Sequence, residues 1–204
     1  MSPGATFERV YHELKRMLAE GELPPGTPIE PALIGKQIAS SITPIRDALH
    51  RLTGERLVEA PNHNGFRVPL PTEAALRDLY RWNGLVLALA AKQLPVGLDL
   101  KAINHRGTSP DAASSTAALF HEIAHHSGNV ELGIAVGLLN DRLAIFRRAE
   151  LTALEGVTEE LAVLVEVVAS GNRARLGIGL TRYHRRRTAG VSEILARLLY
   201  FVGR

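Results

Sequence analysis

The chain has 204 residues, no cysteine, a formal net charge of +3 and a mean hydropathy of +0.02. The lack of thiols excludes disulfides and thiolate metal centres, and no apolar run reaches the roughly 18 residues that a membrane span needs. The first residues lead straight into an amphipathic segment with no signal peptide ahead of it, so a cytoplasmic protein with no membrane contact is expected. Residues 1–71 carry eight Lys or Arg and eight Asp or Glu. Bulk charge therefore does not mark this segment as a nucleic-acid binder, and any such reading rests on where the charges are placed.

Phe7, Val10, Leu14, Met17 and Leu18 recur at helical spacing and predict a first helix over 5–20. Gly21-Glu22-Leu23-Pro24-Pro25-Gly26 ends it. A short second helix is predicted from Glu30-Pro31, with proline in its first turn and Leu33, Ile34 and Ile38 inward. Ala39-Ser40-Ser41-Ile42 reads as a turn, followed by Thr43-Pro44 as N-cap and first-turn proline of a third helix. That helix places Ile45, Ala48, Leu49 and Leu52 on one face and Arg46, His50 and Arg51 on others, ending near Thr53-Gly54. Two apolar runs, Leu57–Ala60 and Phe66–Val68, flank an Asn64-Gly65 turn signal and predict a hairpin. Pro69-Leu70-Pro71 is a stiff linker. Beyond Thr72 the pattern predicts helices over 72–94, 113–127, 129–150, 157–170, 172–187 and 189–203, with a loop over 95–112. The fold class is mainly α: a winged helix-turn-helix (three helices plus a small β-hairpin) over 1–70, then an all-helical bundle over 71–204.

A recognition helix enters the major groove N-terminus first, and its first turns reach base edges and phosphates. Ser41, Thr43 and Arg46 stand at that end, and Arg46 has the fork that grips guanine with two hydrogen bonds. His50 and Arg51 lie further along, where backbone contact is expected. In the wing, His63, Asn64 and Arg67 are candidates for the minor groove or its phosphates.

Gly21-x-Leu23-x-Pro25-Gly26, Thr43-Pro44-Ile45-Arg46-Asp47-Ala48-Leu49-x-x-Leu52, Leu57-Val58 and Asn64-Gly65-Phe66-x-Val68 together resemble the DNA-binding domain of the GntR family of bacterial repressors, over residues 7–69. The resemblance implies a homodimer on a palindromic operator of double-stranded DNA, with affinity modulated by a small-molecule effector. Two departures stand out: Ile42 replaces an arginine common at the start of the recognition helix, and Asn64 replaces a basic residue before the wing glycine.

The helical half contains His121-Glu122-Ile123-Ala124-His125, the H-E-x-x-H spacing that puts two imidazoles on one helical face for zinc with glutamate as general base. Gly128 and Glu131 stand where an extended form of that motif has its glycine and third ligand. A zinc hydrolase is therefore an alternative to a regulator. Phe120-His121, Ser127-Gly128-Asn129 with Leu132, Val163-Leu164-x-x-Val167, Gly171-Asn172-x-x-Arg175 and Tyr183-His184 resemble instead the FCD effector domain of the FadR branch of GntR regulators, over 74–187.

That second resemblance implies a divalent metal held by one aspartate and three histidines. His121 and His184 match two of these ligands, Ala117 and Leu161 stand where the other two would be, and His125 supplies a third nitrogen if it faces inward. The effector pocket implied contains His121, His125, His184 and Asn83. Asn83 and Leu87 replace an Arg and a Glu usual on the first helix of the domain. This predicts either a more apolar pocket for a less anionic effector or an orphan regulator with none. Val191, Ile194, Leu195, Leu198, Leu199 and Phe201 form a stripe that either closes the bundle or joins a dimer interface. Arg185-Arg186-Arg187 reads as a solvated helix end.

Overall fold

The computed structural model describes residues 3–61, 65–95 and 111–202. Two compact units divide it, one built on Met1–Pro71 and the other on Thr72–Phe201. Both are dominated by helices, and the described strands form one two-stranded sheet. No helix among the described residues is long and apolar enough to cross a membrane.

In the first unit, α1 (Pro3–Glu20) buries Val10, Tyr11, Leu14, Met17 and Leu18, the spacing of a single helical face. Gly21 then takes φ 78, a left-handed conformation that glycine adopts without a Cβ clash. Strand β1 (Pro28–Ile29) leads into α2 (Pro31–Gln37), with Glu30 at the N-cap position and Pro31 in the first turn. Ile34 is buried, but Leu33 is 57% exposed, which corrects its expected inward placement. In so short a helix the buried face holds only Ile34 and Gly35.

Helix α3 (Ile42–Gly54) buries Ile45, Ala48, Leu49 and Leu52. Its N-cap is Ser41, not Thr43: Ser41 is extended, so the helix begins at Ile42. Pro44 still falls in the first turn, where amides have no intrahelical acceptor and a missing N–H costs nothing. Strand β2 (Phe66–Arg67) pairs antiparallel with β1, Ile29 opposite Phe66. The expected hairpin partner contributes a single bridge, Glu59 with Arg67, closed by Glu59 N to Arg67 O at 2.8 Å and Arg67 N to Glu59 O at 2.9 Å. The wing is thus anchored on β1, a strand too short and proline-bounded to show in the hydrophobic pattern. Val58, Phe66 and Val68 complete the core beneath it.

The second unit runs α4 (Glu73–Gln93), α5 (Ala112–His125), α6 (Val130–Ala153), α7 (Val157–Ala169), α8 (Arg173–Ala189) and α9 (Val191–Val202). Most of the expected loop over 95–112 lies outside the described residues. Thr72, Asp111, Asn129 and Asn172 cap α4, α5, α6 and α8 by accepting hydrogen bonds from first-turn amides. Ser127-Gly128-Asn129 and Ser170-Gly171-Asn172 are two copies of one joint. In each, the serine hydroxyl donates back to a carbonyl of the ending helix and accepts from the asparagine amide, the glycine is left-handed, and the asparagine caps the next helix. Helix α4 packs on α5, α6 and α8, and α5 packs on α6. Val191, Ile194, Leu195 and Leu198 of α9 are buried within the chain, while Leu199 stays half exposed.

Candidate functional site

The first unit presents the N-terminal end of α3 to solvent. Ser41, Ile42, Thr43, Arg46, Asp47 and His50 are exposed there. Arg46 makes no hydrogen bond or ion pair with other described residues, so its guanidinium is available to a ligand. Ile42 is 49% exposed beside it, an apolar contact where the GntR resemblance leads one to expect a charge.

The other expected contacts are less free. Arg51 lies 4.0 Å from the Tyr11 ring centroid and bonds Glu55 at 3.3 Å and Glu8 at 3.4 Å, so its cation is spent bracing α3 on α1. Tyr11 donates to the same Glu55 carboxylate at 2.7 Å. His50 sets its ring edge on Phe66, centroids 5.0 Å apart, and so lies between the recognition helix and the wing. The Arg67 side chain is exposed on β2. His63 and Asn64 lie outside the described residues.

Two residues that sequence reasoning missed fix the turn ahead of α3. Arg9 Nη1 donates to the Ile38 carbonyl at 3.1 Å, satisfying a carbonyl at the end of α2 from a helix 29 positions away. Gly35 lies so close to the turn that a Cβ there would meet the Ser40 carbonyl oxygen at 2.8 Å. Helical spacing signals neither contact: the first is tertiary, and the second depends on the path of the turn between α2 and α3.

In the second unit the expected pocket residues part company. His121 and His125 are exposed on α5, stacked on each other with ring centroids 6.3 Å apart. His184 is buried on α8, its Nδ1 donating to Leu180 O at 2.7 Å and its Nε2 2.8 Å from Asn83 Oδ1, a contact a neutral ring makes when the Asn83 amide is turned over so that its NH2 donates. Burial, helped by the nearby Arg147 and Arg187 charges and opposed by the Leu180 carbonyl, pushes its pKa down to about 4. The ring is therefore neutral at pH 7. The expected convergence of His121 with His184 is corrected: α5 turns Phe120, not His121, toward His184, the two rings stacking at 5.8 Å.

A divalent metal does not fit these residues. Both His184 nitrogens are engaged, the neighbouring guanidinium charges repel a cation, and no cluster of three or more His, Cys, Asp or Glu able to hold a metal occurs among the described residues. Glu122 likewise lies beside His126, its Oε2 3.6 Å from Nδ1 one helical turn on.

What fills the bundle is a polar cluster absent from the expected pocket. Glu150 is buried; it accepts from Tyr80 at 2.5 Å and from Arg187 Nε at 2.9 Å, and Arg187 also reaches Glu160. Arg187 is thus a buried ion-pair residue, which corrects its reading as part of a solvated helix end; Arg186 is partly buried on Glu160, and Arg185 alone is exposed. Arg147 is 2% exposed, its guanidinium 5.3 Å from the Phe120 ring centroid, with Nε, Nη1 and Nη2 all buried and without partners. One end of the Asn83 amide is also buried and unpartnered, and the Tyr183 hydroxyl, which makes no well-aligned hydrogen bond, lies close enough to the Arg147 guanidinium for that cation to lower its pKa. Burial, then the Glu150 charge, pushes the Tyr183 pKa up to about 12, so its hydroxyl keeps its proton. The buried charged groups of the bundle, Arg147, Arg187 and Glu150, are set in an otherwise apolar core, where Asn83 and Leu87 pointed either to a more apolar pocket or to none.

Residues 6–68 match the family model described as "Bacterial regulatory proteins, gntR family". The HTH-type transcriptional regulator McbR of Escherichia coli K12 is 27% identical over 161 residues, covering 76% of this chain and 66% of that protein. The HTH-type transcriptional repressor GlaR of the same organism is 33% identical over 70 residues, 34% of this chain and 32% of its own length. The chain spans between about a third and two thirds of the length of the curated relatives it matches. These relatives bear regulator names and not enzyme names, which speaks against a hydrolase.

Among solved structures, a GntR transcriptional regulator from Rhodococcus sp. RHA1 superposes with a TM-score of 0.73 at 17% identity, covering 92% of this chain and 97% of that one. E. coli McbR/YncC superposes at 0.69 and 19% identity, covering 95% and 99%. Both likenesses extend across the helical unit and show a shared fold. Residues 6–68 of this chain are therefore similar to the gntR family of bacterial regulatory proteins, and a helical C-terminal domain follows them.

Proposed function

We propose that the chain is a cytoplasmic, DNA-binding transcription regulator that represses from a palindromic operator as a homodimer. The observation that carries the reading is the unengaged Arg46 guanidinium beside exposed Ser41 and Thr43 at the start of α3, within the domain that matches the gntR family. Arg46 and Thr43 read base edges, with Arg67 and the wing residues His63 and Asn64 on the backbone or minor groove. His50 adds a phosphate contact from the wing side of α3.

The helical domain, FCD-like in this reading, pairs two copies and sets the spacing of their recognition helices. A small effector in its bundle shifts that spacing by binding one arrangement more tightly than the other. DNase footprinting on DNA flanking the gene tests the reading. A protected palindrome lost in Arg46→Ala is expected, and protection unchanged by that substitution would sink the assigned readout.

A further inference from the structure

We propose that Ile42 reads the methyl group of a thymine, so that each operator half-site carries a thymine within about two base pairs of the guanine that Arg46 grips. The inference rests on the operator reading above and adds what the apolar tip of α3 contributes to it.

Ile42 is the first residue of α3, directly after the extended Ser41. It is 49% exposed, whereas Ile45, Ala48, Leu49 and Leu52 of the same helix are buried. It also stands outside the set of apolar residues, buried or partly buried, that make the core of the first unit. A single exposed isoleucine is ordinary on a protein surface; its neighbours give this one a meaning. Arg46 follows four positions on, so the two side chains stand side by side on one face, with Cβ atoms about 5–6 Å apart. Ser41, Thr43 and Asp47 are exposed around them.

That face holds one cation, Arg46, and one anion, Asp47, and residues 1–71 carry as many acidic as basic side chains. Such a surface draws little from phosphates, whose attraction needs an excess of Lys and Arg. Discrimination at the tip of α3 then falls to base edges. Isoleucine neither donates nor accepts a hydrogen bond, so phosphate oxygens and the polar base edges offer it nothing. In the major groove the apolar group that a base pair presents is the thymine methyl. Bringing the two together removes apolar surface from water on both partners. With Arg46 on a guanine, the separation of the two side chains spans less than two steps of about 3.4 Å along a strand, which places the thymine.

The test uses the full-length protein and duplexes that it selects from a randomised pool. Thymines of the selected site are replaced one at a time by deoxyuridine, which removes the methyl and keeps the base pair, and affinity is read by gel shift at fixed salt. At one position in each half-site, loss of the methyl is expected to weaken binding by about fourfold, the worth of one buried carbon, and by about fifteenfold when both half-sites are changed. Ile42→Ala binds the thymine site more weakly and no longer distinguishes thymine from uracil there. Ile42→Val retains about a twofold distinction and decides the matter if the alanine variant fails to fold.

Uracil that is inert at every position, half-sites selected without a thymine near the guanine, or a uracil effect that persists undiminished in Ile42→Ala and Ile42→Val each overturns the proposal. The last of these would assign the methyl contact to Thr43. A selected site that depends on Arg46 but on no methyl overturns this inference alone, while a pool from which no sequence is enriched overturns the operator reading and this inference with it.

Discussion

Gly84 on α4 packs directly on His184 of α8: a Cβ at position 84 would lie 3.0 Å from His184 Cγ, 3.3 Å from its Cβ and 3.4 Å from its Cδ2. Helices α4 and α8 thus meet here through a missing side chain, and the imidazole fills the space. Gly84→Ala is expected to destabilise by about 1–3 kcal/mol, since the buried ring is held at both nitrogens and cannot step back freely. A double-mutant cycle with His184→Ala checks the contact in chemical denaturation. Additive single effects would show that the two residues do not meet.

The same ring sets a pH dependence. His184 is neutral in the folded bundle with a pKa near 4, while the unfolded chain takes up its proton near 6.5. The unfolded state therefore binds more protons between those values, and stability falls as pH drops through that window. The contribution is complete above about pH 6.5, and by pH 4 roughly 3 kcal/mol of it is gone. Urea denaturation at intervals from pH 7.5 to 4.5 measures the slope. His184→Gln should flatten it, and an unchanged slope in that variant would assign the effect elsewhere.

Arg46 and Arg51 sit five positions apart on α3 and should fail differently. Arg51 is bound to Tyr11, Glu55 and Glu8, so Arg51→Ala costs about 1 kcal/mol of stability. Arg46 is unengaged, so Arg46→Ala leaves stability within about 0.5 kcal/mol and changes DNA binding alone. Thermal unfolding of the two variants beside gel-shift titrations separates the roles; matching profiles would refute the division.

Arg56, just past α3, holds φ 60, a left-handed conformation that a side chain disfavours. Its amide donates to Thr53 O at 3.1 Å, so the turn is retained whatever stands there. Arg56→Gly should raise stability by about 1 kcal/mol, read as a higher denaturation midpoint. A lower midpoint would mean that the arginine side chain contributes more than its backbone strain costs.

Much of the architecture was legible in the order of residues because its causes are local. Apolar spacing, paired prolines after α1, the capping asparagines and the two Ser-Gly-Asn joints act within a few positions, and the helices of the second unit fall close to where periodicity puts them. Thr43 as an N-cap was the misreading of a local rule: proline is tolerated throughout the first turn, so it marks a helix start only to within a residue or two.

What the tertiary structure decided is which polar side chains meet. Periodicity assigns a residue to a face but does not say what the facing helix brings. His121 matched a family position yet lies exposed, while Arg147, which no motif singled out, is buried with three unpaired nitrogens. Arg187 looked like the end of a basic run and instead closes an ion pair with Glu150, 37 positions away. On α3, sequence alone made both Arg46 and Arg51 DNA contacts, Arg46 to base edges and Arg51 to the backbone. Only the packing of α1 against that helix uses Arg51 for the fold and leaves Arg46 open to a partner.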